Sequence, residues 1–223
     1  MIDWSKYRAL LFDLDGTLFP TEPMHIRGLT QAVQELLDYR MSWDEGNEYI
    51  GITSAEMGER ILRRLHRTDV TPEQIRQRKN AIIMGGFEMP RPYPGVPEFL
   101  SAAKNANFQM VLASNSILAF IERCLDSCQI RGCFHHILSV AAVSRPKPAP
   151  DIFLLAAKTA GARPEECLAF EDSSAGLESA KAAGCDAVLV LNPENYLPPR
   201  IPSDLPRQTW PELLDQLRKF AGF

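Results

Sequence analysis

The chain has 223 residues, of which 45 % are hydrophobic and 23 % are charged, and its formal net charge is −4. This length and composition are typical of a globular protein with a sizeable core, and the acidic balance disfavours a nucleic-acid surface, which usually carries a basic stripe. No apolar run approaches the roughly 18 residues of a membrane span, and the first residues lack a signal-peptide pattern. We therefore expect a cytoplasmic protein without a nucleic-acid or membrane partner.

The first predicted strand covers residues 7–13 and leads directly into Asp13-Leu14-Asp15-Gly16-Thr17. Side chains two residues apart in a strand point to the same side, so the two carboxylates leave the strand end together. Like charges that close repel unless a cation neutralises them, and carboxylate oxygens suit Mg²⁺. The pattern predicts a magnesium site, although two ordinary loop carboxylates are the simpler alternative.

Residues 21–90 contain no convincing strand and show helical periodicity instead. Helices are predicted over residues 24–37, 43–50, 55–66 and 72–84, the last with Thr71 as its N-terminal cap and Pro72 in its first turn. Proline-rich stretches bound this block on both sides. We predict an all-helical insertion at residues 21–90 in a core formed by residues 1–20 and 91–223.

After the insertion, strands and helices alternate as a parallel sheet requires. The predicted strands cover residues 109–114, 136–139, 167–171 and 187–191, and the predicted helices cover residues 96–106, 117–128, 151–159 and 174–183. Residues 192–208 are expected to lack regular structure, and residues 210–220 to form an amphipathic helix that serves packing. The predicted fold class is α/β, with a doubly wound parallel sheet and an inserted helical domain.

Three further polar motifs lie near the ends of predicted strands or the starts of helices. Ser114 and Asn115 follow the second strand, Lys147 lies between two prolines, and Glu171 and Asp172 end a later strand. Each motif has a simpler explanation, because the two pairs could cap the helices that follow and an isolated lysine usually lies on the surface. The carboxyl ends of parallel strands meet in one crevice, so we expect these side chains to form one site.

In this order and spacing, the motifs resemble those of the haloacid dehalogenase-like superfamily, in its branch with a helical cap after the first motif. The matching residues are Asp13-Leu14-Asp15-Gly16-Thr17, Ser114, Lys147 and Glu171-Asp172. The resemblance covers about residues 9–191. It implies a Rossmann-like core, a helical cap and a Mg²⁺-dependent reaction on a small phosphate ester.

Phosphoryl transfer requires an in-line nucleophile, neutralised phosphoryl oxygens and a proton donor for the leaving oxygen. We assign Asp13 as the nucleophile that forms an aspartyl-phosphate, and Asp15 as the general acid and base. Ser114 would hold phosphoryl oxygens, and Lys147 would neutralise charge in the transition state. The predicted metal ligands are Asp13, Asp15 (through its backbone carbonyl, as the resemblance implies), Glu171 and Asp172.

The predicted substrate-binding residues are Thr17, His25, Gly51 and Asn115. Thr17 is also a natural turn residue, and a lone histidine such as His25 is more often structural, although relatives often turn this position toward the pocket. Gly51 lies in a loop at residues 50–54 that resembles the family's specificity loop without the basic residues that similar sugar phosphomutases carry.

These features favour a phosphatase that acts on a sugar-like or nucleotide-like phosphate, as a monomer or weak dimer. A phosphomutase of the β-phosphoglucomutase type and a non-catalytic metabolite-binding protein remain as alternatives. The dehalogenase branch lacks the second carboxylate of the first motif, which Asp15 supplies here.

A zinc site is a further alternative, because Cys124, Cys128 and Cys133 precede His135 and His136. We expect buried, reduced cysteines instead, since a free cysteine packs as a small apolar side chain. The chain has five cysteines, and an odd number disfavours a disulfide framework.

Overall fold

The computed structural model describes residues 1–49, 52, 54–192 and 205–222, and the chain divides into two compact units. The larger unit consists of Met1–Pro20 with Met89–Phe223, and the smaller one of Thr21–Glu88. Gly51, a predicted substrate-binding residue, lies outside the described residues. Within those residues, no helix combines the length and the apolar character of a membrane span.

The smaller unit is helical in its described part. Its helices are α1 (Glu22–Leu37), α2 (Trp43–Asn47), α3 (Ser54–Arg64) and α4 (Pro72–Gly86). The predicted cap of α4 is confirmed: Thr71 Oγ1 accepts a hydrogen bond from the Gln74 backbone N–H, and Gln74 Oε1 accepts one from the Thr71 N–H. The apolar faces of these helices form a core that includes Leu29, Val33, Leu37, Ile61 and Ile75.

The larger unit is built on a parallel sheet. Its strands are β1 (Ala9–Phe12), β2 (Gln109–Ala113), β3 (His136–Leu138), β4 (Cys167–Glu171), β5 (Asp186–Val190) and β6 (Arg207–Gln208). The spatial order is β3-β2-β1-β4-β5-β6, and neighbouring strands run parallel. All four residues of β1 are buried between β2 and β4. The strand order reverses at β1, where ligands bind in open α/β sheets.

Helices cover both faces of this sheet. They are α5 (Val96–Asn105), α6 (Leu118–Ser127), α7 (Asp151–Thr159), α8 (Ser174–Ala183) and α9 (Trp210–Ala221). On one face, Leu11 of β1 packs in a core with Phe153 of α7 and Leu177 of α8. On the other, the Phe12 ring contacts Phe99 of α5 and Trp210 of α9. The predicted doubly wound α/β fold is confirmed.

The segment before the last helix corrects one prediction. Residues 192–208 were expected to lack regular structure, but Arg207 and Gln208 form β6 and pair with Leu189 and Val190 of β5. A strand of two residues is too short to produce a periodic sequence signal. Residues 193–204 lie outside the described residues. The predicted helix at residues 210–220 is confirmed as α9.

Candidate active site

The predicted catalytic side chains of the larger unit meet at the carboxyl ends of its central strands. Asp13 directly follows β1, Ser114 directly follows β2, and Glu171 ends β4 just before Asp172. Asp13, Ser114, Glu171 and also Lys147 are buried although they are polar. Buried polar groups are stable only when they are paired, so their contacts define the site.

Lys147 joins two of the carboxylates. Its Nζ lies 2.6 Å from Asp13 Oδ1, 2.6 Å from Glu171 Oε1 and 2.7 Å from the Ala113 carbonyl oxygen. An ammonium group has three N–H donors, and each has an acceptor here. The residue is 3 % exposed, so the alternative of an ordinary surface lysine is wrong.

The pKa values of this cluster reflect its burial and its excess of negative charge. Burial alone would lower the pKa of Lys147, but the Asp13 and Glu171 carboxylates outweigh it and raise that pKa, so the lysine stays charged. Burial raises the pKa of Asp13 well above its usual range; Lys147 opposes this rise, whereas Glu171 and Asp15 add to it. Asp13 would therefore ionise more readily if a further positive charge were bound beside it.

Three carboxylates of the cluster could hold a metal ion. Asp13, Glu171 and Asp172 each offer an oxygen, and these three atoms lie within 4.8 Å of one another. Mg²⁺ prefers oxygen ligands, and one or two protein carboxylates commonly hold it beside a phosphate group. The donor set and the unbalanced negative charge therefore fit a divalent cation.

The Asp15 side chain contacts two serines after β2. Its Oδ2 accepts a hydrogen bond from Ser116 Oγ at 2.7 Å and a longer one from Ser114 Oγ at 3.3 Å. The Ser116 backbone N–H donates to Ser114 Oγ at 3.0 Å, which closes the turn between the two serines. Sequence reasoning missed Ser116, although its position two residues after Ser114 in a strand-end motif was a usable signal.

The comparisons with known proteins agree with these motifs. A model of haloacid dehalogenase-like hydrolases matches residues 7–184. The chain belongs to this family. This hydrolase is 31 % identical over 189 residues to the fructose-1-phosphate phosphatase YqaB of Escherichia coli, which covers 83 % of this chain and 97 % of that protein.

A mutase and a solved structure are also similar to this hydrolase. It is 31 % identical to the beta-phosphoglucomutase of Bacillus subtilis over 188 residues, which covers 81 % of this chain and 82 % of that enzyme. The crystal structure of CbbY from Rhodobacter sphaeroides in complex with phosphate has a TM-score of 0.77 and 27 % identity, and the match covers 93 % of this chain and 96 % of that one.

Two predicted substrate-binding residues of this hydrolase contact other site residues. Thr17 is fully buried, and its Oγ1 donates a hydrogen bond to Asp172 Oδ1 at 2.9 Å. The Asn115 side chain pairs with the Lys147 backbone: its Oδ1 accepts from the Lys147 N–H at 3.1 Å, and its Nδ2 donates to the Lys147 carbonyl at 3.3 Å. Both residues thus hold other site residues in place, and their contact with substrate stays a prediction.

His25 is also a predicted substrate-binding residue. It lies in the first turn of α1 in the smaller unit and is half-buried. Gly51 lies outside the described residues. The substrate-binding roles assigned to His25 and Gly51 both stay predictions.

The helix-capping alternatives are wrong. Ile117 is the N-cap of α6 and makes no capping bond through its side chain. Ser173 caps α8, because its Oγ accepts a hydrogen bond from the Gly176 N–H at 3.0 Å. Ser173 Oγ also donates to Glu171 Oε2 at 3.1 Å, and a Cβ at Gly176 would lie 1.9 Å from the Glu171 carboxyl carbon. Sequence reasoning missed Ser173 and Gly176, which shape the space for Glu171.

The zinc alternative also finds no support. The five cysteines are free thiols; Cys124 is buried, and Cys128 and Cys133 are half-buried. In the described part of the chain, these cysteines and the nearby histidines form no group of three potential metal ligands. Cys128 and Cys133 are less buried than expected.

Proposed function

We propose that this hydrolase is a Mg²⁺-dependent phosphatase of small phosphomonoesters, with a sugar phosphate or a nucleotide-like phosphate as substrate. The observation that carries the proposal is the contact between Lys147 Nζ and Asp13 Oδ1 at 2.6 Å, beside two further carboxylates. This arrangement gives Asp13 a fixed orientation at the strand end where a ligand would bind. The relative YqaB is named a fructose-1-phosphate phosphatase, which supports the substrate class.

The proposed reaction has two steps. The Asp13 carboxylate attacks phosphorus, the bond from phosphorus to the ester oxygen breaks, and Asp15 gives its proton to the departing alkoxide. Asp15 then removes a proton from water, and this water breaks the aspartyl-phosphate to release inorganic phosphate and free Asp13. Ser116 and Ser114 hold Asp15 through its Oδ2.

The cation would be held by Asp13 and Asp172, with Glu171 nearby and the backbone carbonyl of Asp15 as a further ligand. When bound, it would supply positive charge beside the phosphoryl oxygens. Lys147 would contribute its charge to the transition state and fix Asp13 through Oδ1, and Ser114 would be placed to donate to a phosphoryl oxygen.

The two units of the chain have different proposed roles. Residues 1–20 and 91–223 would form the catalytic core, and residues 21–90 would act as the cap that excludes water, as in the family branch that the chain resembles. His25 and Gly51 would contribute to substrate choice from the cap.

A phosphomutase is the second candidate, because the chain is 31 % identical to a beta-phosphoglucomutase. The two activities share the aspartyl-phosphate and differ in whether water or a sugar attacks it. The loop at residues 50–54 lacks lysine and arginine, which favours the phosphatase because a mutase must hold a second phosphate group. Hexose 1-phosphates with and without a bisphosphate primer distinguish the two, since only a mutase interconverts isomers efficiently.

The experiment that tests the proposal is a screen of phosphorylated metabolites with phosphate release as its readout. We expect turnover with Mg²⁺, no turnover with excess EDTA, and recovery when Mg²⁺ is returned. Asp13→Asn should abolish turnover of every substrate, including a generic aryl phosphate. Wild-type-like kcat in that variant would reject the covalent mechanism, and ligand binding without any turnover would favour a binding protein.

A further inference from the structure

The C-terminal part of the chain contacts the turn that carries the first motif. Asn192 Nδ2 donates hydrogen bonds to the carbonyl oxygens of Gly16 at 2.7 Å and Thr17 at 3.1 Å. Trp210 Nε1 donates to the same Thr17 carbonyl oxygen at 3.0 Å. Both donors lie beyond residues 7–184, the range that the family model matches.

Thr17 connects these two donors to a proposed metal ligand. Its carbonyl oxygen is held by Asn192 and Trp210, and its hydroxyl donates to Asp172 Oδ1. Thr17 is fully buried, so rotation of its backbone would leave a buried carbonyl without its hydrogen bonds, which costs free energy. The two donors therefore hold the Thr17 backbone, and the Thr17 side-chain hydroxyl contacts Asp172.

The Trp210 ring is held on the sheet by aromatic packing. Its centroid lies 5.1 Å from that of Phe99, 5.5 Å from that of Phe170 and 6.3 Å from that of Phe12. Phe12 is the last residue of β1, and Phe170 is the second-last of β4. Trp210 is thus packed against the two strands whose ends carry the carboxylates, and it is 1 % exposed.

We propose that Trp210 and Asn192 are positioning residues that hold the Thr17 carbonyl so that the Thr17 hydroxyl keeps Asp172 directed toward the cation. The inference rests on the proposed Mg²⁺ site. Groups that orient a metal ligand commonly change metal affinity by about 10- to 100-fold when they are lost. Asn192 and Trp210 act on Asp172 only through Thr17, so we expect their loss to change the Mg²⁺ affinity less than loss of the Thr17 hydroxyl.

The test is the affinity for Mg²⁺ without substrate, measured by isothermal titration calorimetry well below the Tm of each variant. Trp210→Phe removes the N–H donor and keeps an aromatic ring, and Asn192→Ala removes the amide at a half-buried position. Thr17→Val removes the hydroxyl. We expect Kd to rise about tenfold or more in Thr17→Val and roughly three- to tenfold in each of the other two.

Trp4→Phe is the matched control. Trp4 is also buried and packs against Phe99, but its Nε1 has no hydrogen-bond partner within the described residues. The control should lose packing without a change in Kd.

If Trp210→Phe and Asn192→Ala bind Mg²⁺ as tightly as Trp4→Phe does, the positioning role is wrong while the proposed function stands. If the wild-type protein binds no Mg²⁺, the metal-dependent function fails as well. Should Trp210→Phe not fold, Asn192→Ala alone decides.

Discussion

The Ser116 hydroxyl lies 2.7 Å from Asp15 Oδ2, closer than the hydroxyl of the motif serine Ser114 at 3.3 Å. This contact holds the proposed general acid, so its loss should matter most when the leaving oxygen needs a proton. We expect Ser116→Ala to lower kcat/KM for an alkyl phosphate about tenfold, the effect of one hydrogen bond to a charged group. The kcat/KM for an aryl phosphate should fall by less than about twofold, because this parameter reports the first step and an aryl leaving group needs little protonation.

Steady-state kinetics with both substrates checks this prediction. Ser127→Ala is the control, because the Ser127 hydroxyl donates to the Cys124 carbonyl and contacts neither Ser114 nor Ser116. Equal losses on the two substrates would mean that Ser116 acts on the site in another way.

Replacing Gly176 should displace Glu171. A methyl group at this position would lie 1.9 Å from the Glu171 carboxyl carbon, so the carboxylate must leave its place beside Lys147. We expect Gly176→Ala to lower the free energy of unfolding by about 1–3 kcal/mol, as overpacking of a core does. The glycine at position 85 of α4 has open space around it, so Gly85→Ala should be neutral or stabilise by up to about 1 kcal/mol. Urea unfolding of both variants measures the two changes in the free energy of unfolding. Equal changes would mean that Glu171 can move away without destabilising the fold.

Removing the buried Lys147 ammonium should leave the Asp13 and Glu171 carboxylates without the positive charge that pairs with them. We expect Lys147→Met to lower the free energy of unfolding by about 3–5 kcal/mol in EDTA, the usual cost of breaking a buried ion pair from one side. Saturating Mg²⁺ should recover part of this loss, because a bound ion would add positive charge beside Asp13 and Glu171. Lys158→Met, on the exposed surface of α7, is the control and should change stability little. Urea unfolding with and without Mg²⁺ gives the comparison, and an equal loss in both conditions would argue against a cation at this cluster.

The raised pKa of Asp13 predicts how stability depends on pH in EDTA. Burial, with Glu171 and Asp15, raises this pKa above its ordinary value of 3.8 against the opposing effect of Lys147. Above that ordinary value the folded protein binds more protons at Asp13 than the unfolded chain, so this contribution to stability falls as the pH rises through the folded pKa. The slope is at most about 1.4 kcal/mol per pH unit for one group.

Urea unfolding of the wild type and of Asp13→Asn in EDTA, between about pH 5 and pH 8, measures this contribution. The free energy of unfolding of the wild type, minus that of Asp13→Asn, should decrease with pH. Mg²⁺ should weaken the decrease, because it stabilises the ionised carboxylate. A difference that grows with pH would show that Asp13 is already ionised in the metal-free fold.

The sequence predicted the elements that have a local signal. Buried apolar runs identified β1, β2 and β4, and the motif residues at their ends, Asp13, Ser114 and Glu171, meet where the strand order reverses. Helix bounds followed from periodicity and from caps such as Thr71, whose hydroxyl bonds within three residues.

Other features depend on contacts between distant parts of the chain, for which one sequence holds no signal. Trp210 donates to a carbonyl 193 residues away, and β6 exists only because β5 lies beside it. Asn115 and Thr17 contact other predicted site residues, but these protein partners could not be predicted, because a short polar side chain fits a ligand contact and a protein contact equally well.

The three acceptors around Lys147 Nζ affect the reactivity of this amine toward carbonyl compounds. An amine forms an imine with an aldehyde or ketone only as the neutral base, and the two carboxylates keep this one protonated. The lysine is also 3 % exposed, so a carbonyl carbon would have to displace Asp13 or Glu171 to approach it. Open-chain sugars carry such carbonyl groups. Protonation and burial therefore both protect the Lys147 amine from modification by such carbonyl groups.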